Sequence, residues 1–182
     1  MILIMSDEIQ CRFLEAFKGG RIVQVDARNV LFHAGTKIHH IYMVKTGRVS
    51  LVRPLASGAR VILQTACANQ VLAEASVYAK AYHCAAEAEE PTTLHRLAVR
   101  DFQNFLSTQP GAATDWAAHL ARQTQSARMR AEIRSLRTVS DRLDAWLSLG
   151  NDLPPRGQWQ DLADELGVSR EALYRELARR RG

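Results

Sequence analysis

The C-terminal segment, Gln158–Arg181, has the pattern of two short helices joined by a three-residue turn. Two helices joined so closely can pack together only if their crossing point is small and the turn tolerates an unusual backbone conformation, and Ala163 and Gly167 meet these needs. Ser169 is placed to cap the second helix. The apolar seam between the helices consists of Leu162, Leu166, Val168, Leu173 and Leu177. This segment predicts a helix-turn-helix.

The outward face of the second helix carries Arg170, Glu171 and Arg175. In the DNA major groove, arginine can bond a guanine edge and glutamate can accept a hydrogen bond from a cytosine amino group. Between Val168 and Gly182, five arginines stand against two glutamates, and this excess of positive charge attracts phosphate. We expect double-stranded DNA contacts from Ser169, Arg170, Glu171, Arg175, Arg179 and Arg180. The alternative is a helical hairpin with a solvated charged face.

Upstream, the hydrophobic pattern indicates a different architecture. From Arg21 to about Leu97, short β-branched runs alternate with turn sequences, which is typical of an antiparallel roll or barrel. A long helix follows, with Pro110 at its first turn. The sequence therefore predicts an α+β fold with three parts: an N-terminal antiparallel β-roll sensor domain over residues 1–110, a long dimerisation helix over 111–137 and a helix-turn-helix DNA-binding domain over 138–182.

The long helix carries a stripe of mostly small residues with the alternating spacing of four and three that forms a two-helix seam. Its members are Ala113, Ala117, Leu120, Thr124, Ala127 and Ala131. Because a helix-turn-helix protein normally binds a pseudo-palindromic site as a dimer, we expect a parallel homodimer. The alternative is an ordinary helix packed on the roll.

Composition restricts the class of protein. The chain has 182 residues, of which 47% are hydrophobic, and a formal net charge of +5. Three scattered cysteines are unlike the disulfide framework of a secreted domain, and no apolar run is long enough to cross a membrane. We expect a cytoplasmic protein without a membrane partner. No phosphate loop, nucleophile elbow or zinc-protease motif occurs in the sequence, so we expect no enzymatic activity.

Several segments resemble one family. Ser169–Arg175, with the sequence Ser-Arg-Glu-Ala-Leu-Tyr-Arg, resembles the recognition helix of the Crp/Fnr family of bacterial transcription factors, whose typical form is Ser-Arg-Glu-Thr-Val-x-Arg. Similar segments occur upstream in the family's order: Val30–Gly35, Ile41–Val52 and Leu72–Tyr78. The resemblance implies a cyclic-nucleotide-binding-like jelly roll, a winged-helix-like reader and RNA polymerase as a further partner. Family members continue into a β-hairpin wing, whereas this chain ends at Gly182, so we expect a truncated wing.

The resemblance also defines an effector pocket, comprising Glu74, Tyr82, His83 and Cys84. Cyclic-nucleotide binders of the family use a Gly-Glu pair for the ribose and an Arg-Ser pair for the cyclic phosphate. The corresponding residues here are Ala73-Glu74 and Tyr82-His83, so the arginine is missing. Because a buried phosphate needs a cation or several donors, we expect that cyclic AMP is not the effector.

The segment Tyr82-His83-Cys84 offers a thiolate and an imidazole, which can bind copper, zinc or haem iron. His83 and Cys84, with Cys11 as a further ligand, are therefore a candidate metal site. Adjacent residues on a strand point to opposite faces, however, so the pair could share an ion only in a loop or bulge. The alternative is a half-buried cysteine beside a hydrogen-bonded histidine. An iron-sulfur cluster of the family type requires four cysteines and is excluded by the three present.

A second class of function is open on these observations. The chain could be a haem- or metal-binding redox protein whose helical tail only dimerises. Sequence-specific DNA binding distinguishes the two classes, because only a regulator gains affinity on one palindromic site.

Overall fold

The computed structural model describes residues 13–54 and 60–180. The chain divides into two compact units, Met1–Leu120 and Ala121–Gly182. Within the described ranges, no helix is long and apolar enough to span a bilayer.

The first unit is built on two four-stranded antiparallel sheets. The strands are β1 (Arg21–Val25), β2 (Val30–Phe32), β3 (His40–Thr46), β4 (Val49–Pro54), β5 (Arg60–Ala66), β6 (Val71–Leu72), β7 (Ala85–Ala88) and β8 (Thr92–Ala98). One sheet has the order β1-β8-β3-β6 and the other the order β2-β7-β4-β5. The predicted antiparallel roll is confirmed, with every strand pairing antiparallel.

Apolar side chains of both sheets share one core. Its buried members include Phe32, Tyr42, Val44, Leu51, Leu72, Tyr82, Cys84, Ala86 and Leu94. Residues Ile41 to Val44 of β3 are all buried, because one face of this strand meets the other sheet and the opposite face is covered by helices. Burial on both faces makes this strand a continuous apolar run.

Three helices cover the outer face of the first sheet. They are α1, whose described part covers residues 13–18, α2 (Val99–Thr108) and the beginning of α3 (Ala112–Ser135). Phe13, Phe102 and Trp116 meet there, with ring centroids of Trp116 5.2 Å from Phe13 and 4.9 Å from Phe102. These edge-to-face contacts fix the first turns of α3 against the roll.

The second unit contains the C-terminal part of α3 and three further helices: α4 (Val139–Ser148), α5 (Trp159–Leu166) and α6 (Arg170–Arg179). The predicted helix-turn-helix is formed by α5 and α6. Its buried seam contains Leu162, Ala163, Leu166, Leu173 and Leu177, and Ile133, Leu143, Trp146 and Trp159 complete the core. Gly167 takes a left-handed φ of 66° in the turn, and the Ser169 hydroxyl accepts a hydrogen bond from the Ala172 amide at 3.2 Å.

Two arginines satisfy the C-terminal carbonyls of α5. Arg134 donates to the carbonyl oxygens of Asp164 and Glu165, at 2.6 and 3.1 Å. Arg142 donates to those of Leu166 and Gly167, at 3.1 and 2.9 Å. Terminal carbonyls have no partner within their own helix, and positive charge at this end also complements the helix dipole. The two guanidinium groups therefore hold the end of α5 and the turn that follows it.

The C-terminal end of α6 is bound to α4 by an ionic network. Glu176, whose residue surface is 9% exposed, accepts hydrogen bonds from Arg179 at 2.8 and 3.1 Å and from Arg180 at 2.7 Å. Arg180 also donates to Asp144 at 2.6 Å and to the hydroxyl and carbonyl oxygens of Ser140 at 3.0 and 3.1 Å. The hydrogen bonds from Arg179 and Arg180 lower the pKa of Glu176 to about 2.

We predict that this network makes the stability of the chain depend on pH between about 4.5 and 2. A carboxylate with a lowered pKa in the folded state stabilises fully above its unfolded pKa, and its contribution is lost as the pH falls through the folded pKa. Glu176→Gln should therefore lower the melting temperature by a few degrees at neutral pH, and the difference from wild type should shrink below about pH 4.5 and vanish near pH 2. Thermal unfolding followed by tryptophan fluorescence measures this difference.

A matched control is Asp101→Asn in α2, whose carboxylate lies 3.7 Å from Arg100 in an exposed pair. This variant should unfold like wild type at every pH, because exposed ion pairs contribute little. A melting difference for Glu176→Gln that stays constant from pH 7 to pH 2 would contradict the assignment.

Candidate functional site

The N-terminal part of α6 presents an exposed polar face. Ser169, Arg170, Glu171 and Arg175 are all exposed, while Leu173 and Leu177 on the other face are buried. A hydrogen bond from its own backbone amide, and a further one from Ser169, lower the pKa of Glu171, so its carboxylate is ionised and can accept hydrogen bonds. The structure brings together on one helix face the residues for which the sequence predicted base contacts.

Arg170 is held by an aromatic side chain. Its guanidinium carbon lies 5.1 Å from the centroid of the Tyr174 ring, and its Nη2 donates to the Tyr174 hydroxyl at 3.3 Å. Arg156, in the short 3-10 turn before α5, lies 6.0 Å from the centroids of both Tyr174 and Trp159. Sequence reasoning missed Arg156 and Tyr174. The spacing of four between Arg170 and Tyr174 was the available signal, because such residues are neighbours on a helix.

The last two arginines predicted to contact DNA lie in the ionic network at the other end of α6. The Arg180 side chain is 26% exposed and is shared between Glu176 and Asp144. Arg179 is 66% exposed at its side chain and pairs with Glu176. These contacts give both residues a structural role, and their contact with DNA stays a prediction.

Glu74, for which the family resemblance predicted a ribose contact, lies in a short turn after β6. Ala73 has a left-handed φ of 56°, a conformation that favours glycine, and it precedes a 3-10 turn, Glu74–Tyr78. Glu74 is buried, and its Oε2 accepts a hydrogen bond from Gln64 at 2.8 Å. Gln64 lies on β5 and was missed by sequence reasoning, because nothing local links it to a residue ten positions away.

Tyr82, which the family resemblance aligns with the phosphate-binding arginine, is a core residue. It is 5% exposed, its ring stacks on Phe32 with centroids 3.7 Å apart, and its hydroxyl donates to the His40 carbonyl at 2.6 Å. Burial raises the pKa of Tyr82, so the hydroxyl stays neutral. The side chain brings neither a positive charge nor an unused donor to a phosphate.

His83 and Cys84 lie on opposite sides of the chain. His83 is exposed, and its carbonyl accepts a long hydrogen bond of 3.5 Å from Arg53. Cys84 is 1% exposed in the core between the sheets, and burial raises the pKa of its thiol. The imidazole therefore lies at the surface and the thiol in the core, as expected for adjacent residues of an extended chain, and Cys11 lies outside the described residues. Nowhere in residues 13–54 and 60–180 do three or more His, Cys, Asp or Glu side chains form a group that could hold a metal ion.

A comparison with protein-family models finds a match within the first unit. Residues 22–109 match the cyclic nucleotide-binding domain. A comparison with curated protein sequences finds no match.

Several solved structures share the fold. FixK2 from Bradyrhizobium japonicum superposes with a TM-score of 0.70 at 20% identity, over 88% of this chain and 83% of FixK2. The c-di-GMP-responsive global regulator CLP from Xanthomonas campestris superposes with a TM-score of 0.66 at 18% identity, over 96% and 91% of the two chains. Catabolite activator protein from Thermus thermophilus gives 0.55 at 23% identity, over 92% and 81%.

These identities are low, so the likeness to the solved structures is one of fold. The matched domain at residues 22–109 is followed in this chain by a long helix and by the helix-turn-helix of α5 and α6. The chain therefore combines a segment that matches the cyclic nucleotide-binding domain with the fold that these regulators share.

Proposed function

We propose that the protein is a homodimeric, sequence-specific DNA-binding transcriptional regulator that does not act as an enzyme. The observation that carries this proposal is the exposed row of Arg170, Glu171 and Arg175 on a helix capped by Ser169. These side chains can bond base edges, and the helix that bears them is fixed by a buried seam. The roll of residues 22–109 would sense an effector, and RNA polymerase would be a further partner.

The second candidate function, a haem- or metal-binding redox protein, has less support. A metal ion needs several ligands, and the described part of the chain brings no three candidate ligands together, whereas haem iron needs only one or two axial ligands. The redox candidate also gives no role to the outward row of Arg170, Glu171 and Arg175. Selection of binding sites from a random duplex library tests the choice, because a redox protein should enrich no sequence.

The first prediction concerns base recognition. Arg175→Ala should cost about 1–3 kcal/mol on a selected duplex and relax the preference at one base pair, because it removes a contact to a base edge. The two selected half-sites should be centred about one helical turn apart. Fluorescence anisotropy on the selected duplex and on single-base variants of it measures both effects.

Arg100→Ala is the matched control, because it removes one exposed arginine from α2 in the first unit. It should leave discrimination unchanged. Unaltered discrimination in Arg175→Ala would show that another face of the protein reads the bases.

The second prediction concerns assembly. Along α3, Ala113, Ala117, Ala127 and Ala131 are exposed in the single chain, as a face available to a second copy would be. Ala117→Glu combined with Ala127→Glu would place like charges opposite each other across this seam. We expect monomers by sedimentation and a large loss of DNA affinity.

The control for assembly adds the same two charges to α3 away from the seam, by Gln125→Glu and Ser126→Glu, at exposed positions. This variant should remain dimeric. If the alanine variant also remained dimeric, the seam would not be the interface.

The third prediction concerns the effector. Cyclic AMP at millimolar concentration should not change the affinity for the selected duplex, because Tyr82 fills the position of the phosphate-binding arginine. Cyclic di-GMP belongs in the same assay, because it is the effector named for CLP. Saturable cyclic AMP binding by calorimetry would contradict the prediction, and its loss in Arg53→Ala would then identify the guanidinium beside His83 as the replacement cation.

A metal ion or haem as effector stays a prediction, and the same assay tests it. Zinc, Cu(I) and haem are titrated against wild type and Cys84→Ser. A response that only wild type shows would assign Cys84 to the sensor, and it should weaken as the pH falls because ligation releases protons. No response, or equal responses, would assign Cys84 to the core in which it is buried.

A further inference from the structure

Tyr174 lies between two arginines that come from different parts of the second unit. Arg170 precedes it by one helical turn, and Arg156 reaches it from the 3-10 turn before α5. The guanidinium carbons lie 5.1 and 6.0 Å from the ring centroid, within the range of a cation–π interaction. We call Arg156, Arg170 and Tyr174 the arginine clamp.

The Tyr174 ring of the clamp packs against a buried tryptophan. Tyr174 meets Trp159 edge to face, with centroids 4.8 Å apart and an angle of 71° between the planes. Trp159 is 5% exposed, and its indole nitrogen donates to the Pro154 carbonyl at 2.9 Å. Because a buried, hydrogen-bonded side chain supports the ring, the positions of the two guanidinium groups are restricted before any ligand binds.

The acid beside the clamp is Glu171, whose pKa is lowered by its backbone and Ser169 hydrogen bonds and also by the charge of Arg170. No carboxylate within the described residues forms an ion pair with Arg156 or Arg170, and both residues are exposed. Arg179 and Arg180, in contrast, are paired with Glu176 and Asp144. Two cations on one ring repel each other, and an anion between or beside them relieves the repulsion. The arrangement fits a polyanion rather than an internal ion pair.

We propose that Arg156 contacts a DNA phosphate beside the recognition helix and that Tyr174 is a positioning residue that holds Arg156 and Arg170 for DNA. The inference rests on the proposed function, because it assumes that α6 lies on the duplex. It adds a contact from outside the helix-turn-helix. A guanidinium on a phosphate gives affinity without sequence preference, whereas Arg170 at a base edge gives preference.

The test is the salt dependence of binding. A phosphate contact releases counterions, so Arg156→Ala should reduce the slope of log affinity against log salt by about 1 per protomer. Affinity at moderate salt should fall on the order of fivefold, and equally for the selected duplex and a scrambled duplex. Arg100→Ala, which removes an exposed arginine from the first unit, should keep the wild-type slope.

Two substitutions distinguish the contribution of the Tyr174 ring from that of its hydroxyl. Tyr174→Phe keeps the ring, so it should retain the wild-type slope with at most a small loss of discrimination. Tyr174→Leu removes the support of both arginines, so it should reproduce the slope of Arg156→Ala and also relax the preference at the base pair read by Arg170. In Tyr174→Leu, Arg156→Ala should have little further effect on the slope. Circular dichroism checks that the leucine variant folds, and Arg156→Ala, at an exposed position, tests the phosphate contact independently of it.

The outcomes for this inference and for the proposed function are distinct. If wild type selects no sequence and binds duplexes without salt dependence, the proposed function fails and the clamp with it. If wild type selects a site and Arg175→Ala loses discrimination, but Arg156→Ala keeps the wild-type slope, the regulator remains and the phosphate contact of Arg156 is overturned.

Discussion

The orientation of α6 depends on the hydrogen bonds from Arg134 and Arg142 to the end of α5. A helix of eight residues is not stable by itself, and its last carbonyls lie beside the turn that leads to α6. Burial removes water from the guanidinium of Arg134 and lowers its pKa. The hydrogen bonds that Arg134 donates to the carbonyls of Asp164 and Glu165 offset this loss of hydration. Arg142 likewise donates to the carbonyls of Leu166 and Gly167. Because these four carbonyls are hydrogen-bonded, the turn is fixed, and so is the direction in which α6 begins.

The arginines of the second unit divide into an internal set and an external set, which composition alone does not reveal. The internal set is Arg134, Arg142 and Arg180, which donate hydrogen bonds to carbonyls and carboxylates of the second unit itself. Arg170 and Arg175 project from the exposed face of α6, and Arg156 adds a further charge from the preceding turn. Counting the arginines between Val168 and Gly182 therefore overstates the positive charge available to phosphate, because Arg180 is used internally. The same count leaves out Arg156, which lies before this segment and is exposed.

The parts of the molecule that follow from local pattern could be predicted from the sequence. The strands of the roll, the helix-turn-helix and the cap at Ser169 depend on periodicity and on residues a few positions apart. The alternation of His83 and Cys84 across the chain was also foreseen as an obstacle to a shared metal ion. The capping role of Arg142, the Gln64–Glu74 hydrogen bond and the stacking of Tyr82 on Phe32 could not be read from the sequence, because each joins residues that only the tertiary fold brings together.

Tyr82 is a packing residue between the sheets of the roll. Its ring fills the core against Phe32, and its hydroxyl donates to the His40 carbonyl. An arginine at position 82 would bury a guanidinium between the sheets and leave that carbonyl without its donor, so it would destabilise the roll. Glu74 and Gln64 form a polar pair at the turn after β6. The packing of Tyr82 therefore argues against a phosphate site at position 82, and the Glu74–Gln64 pair leaves the roll a buried polar group.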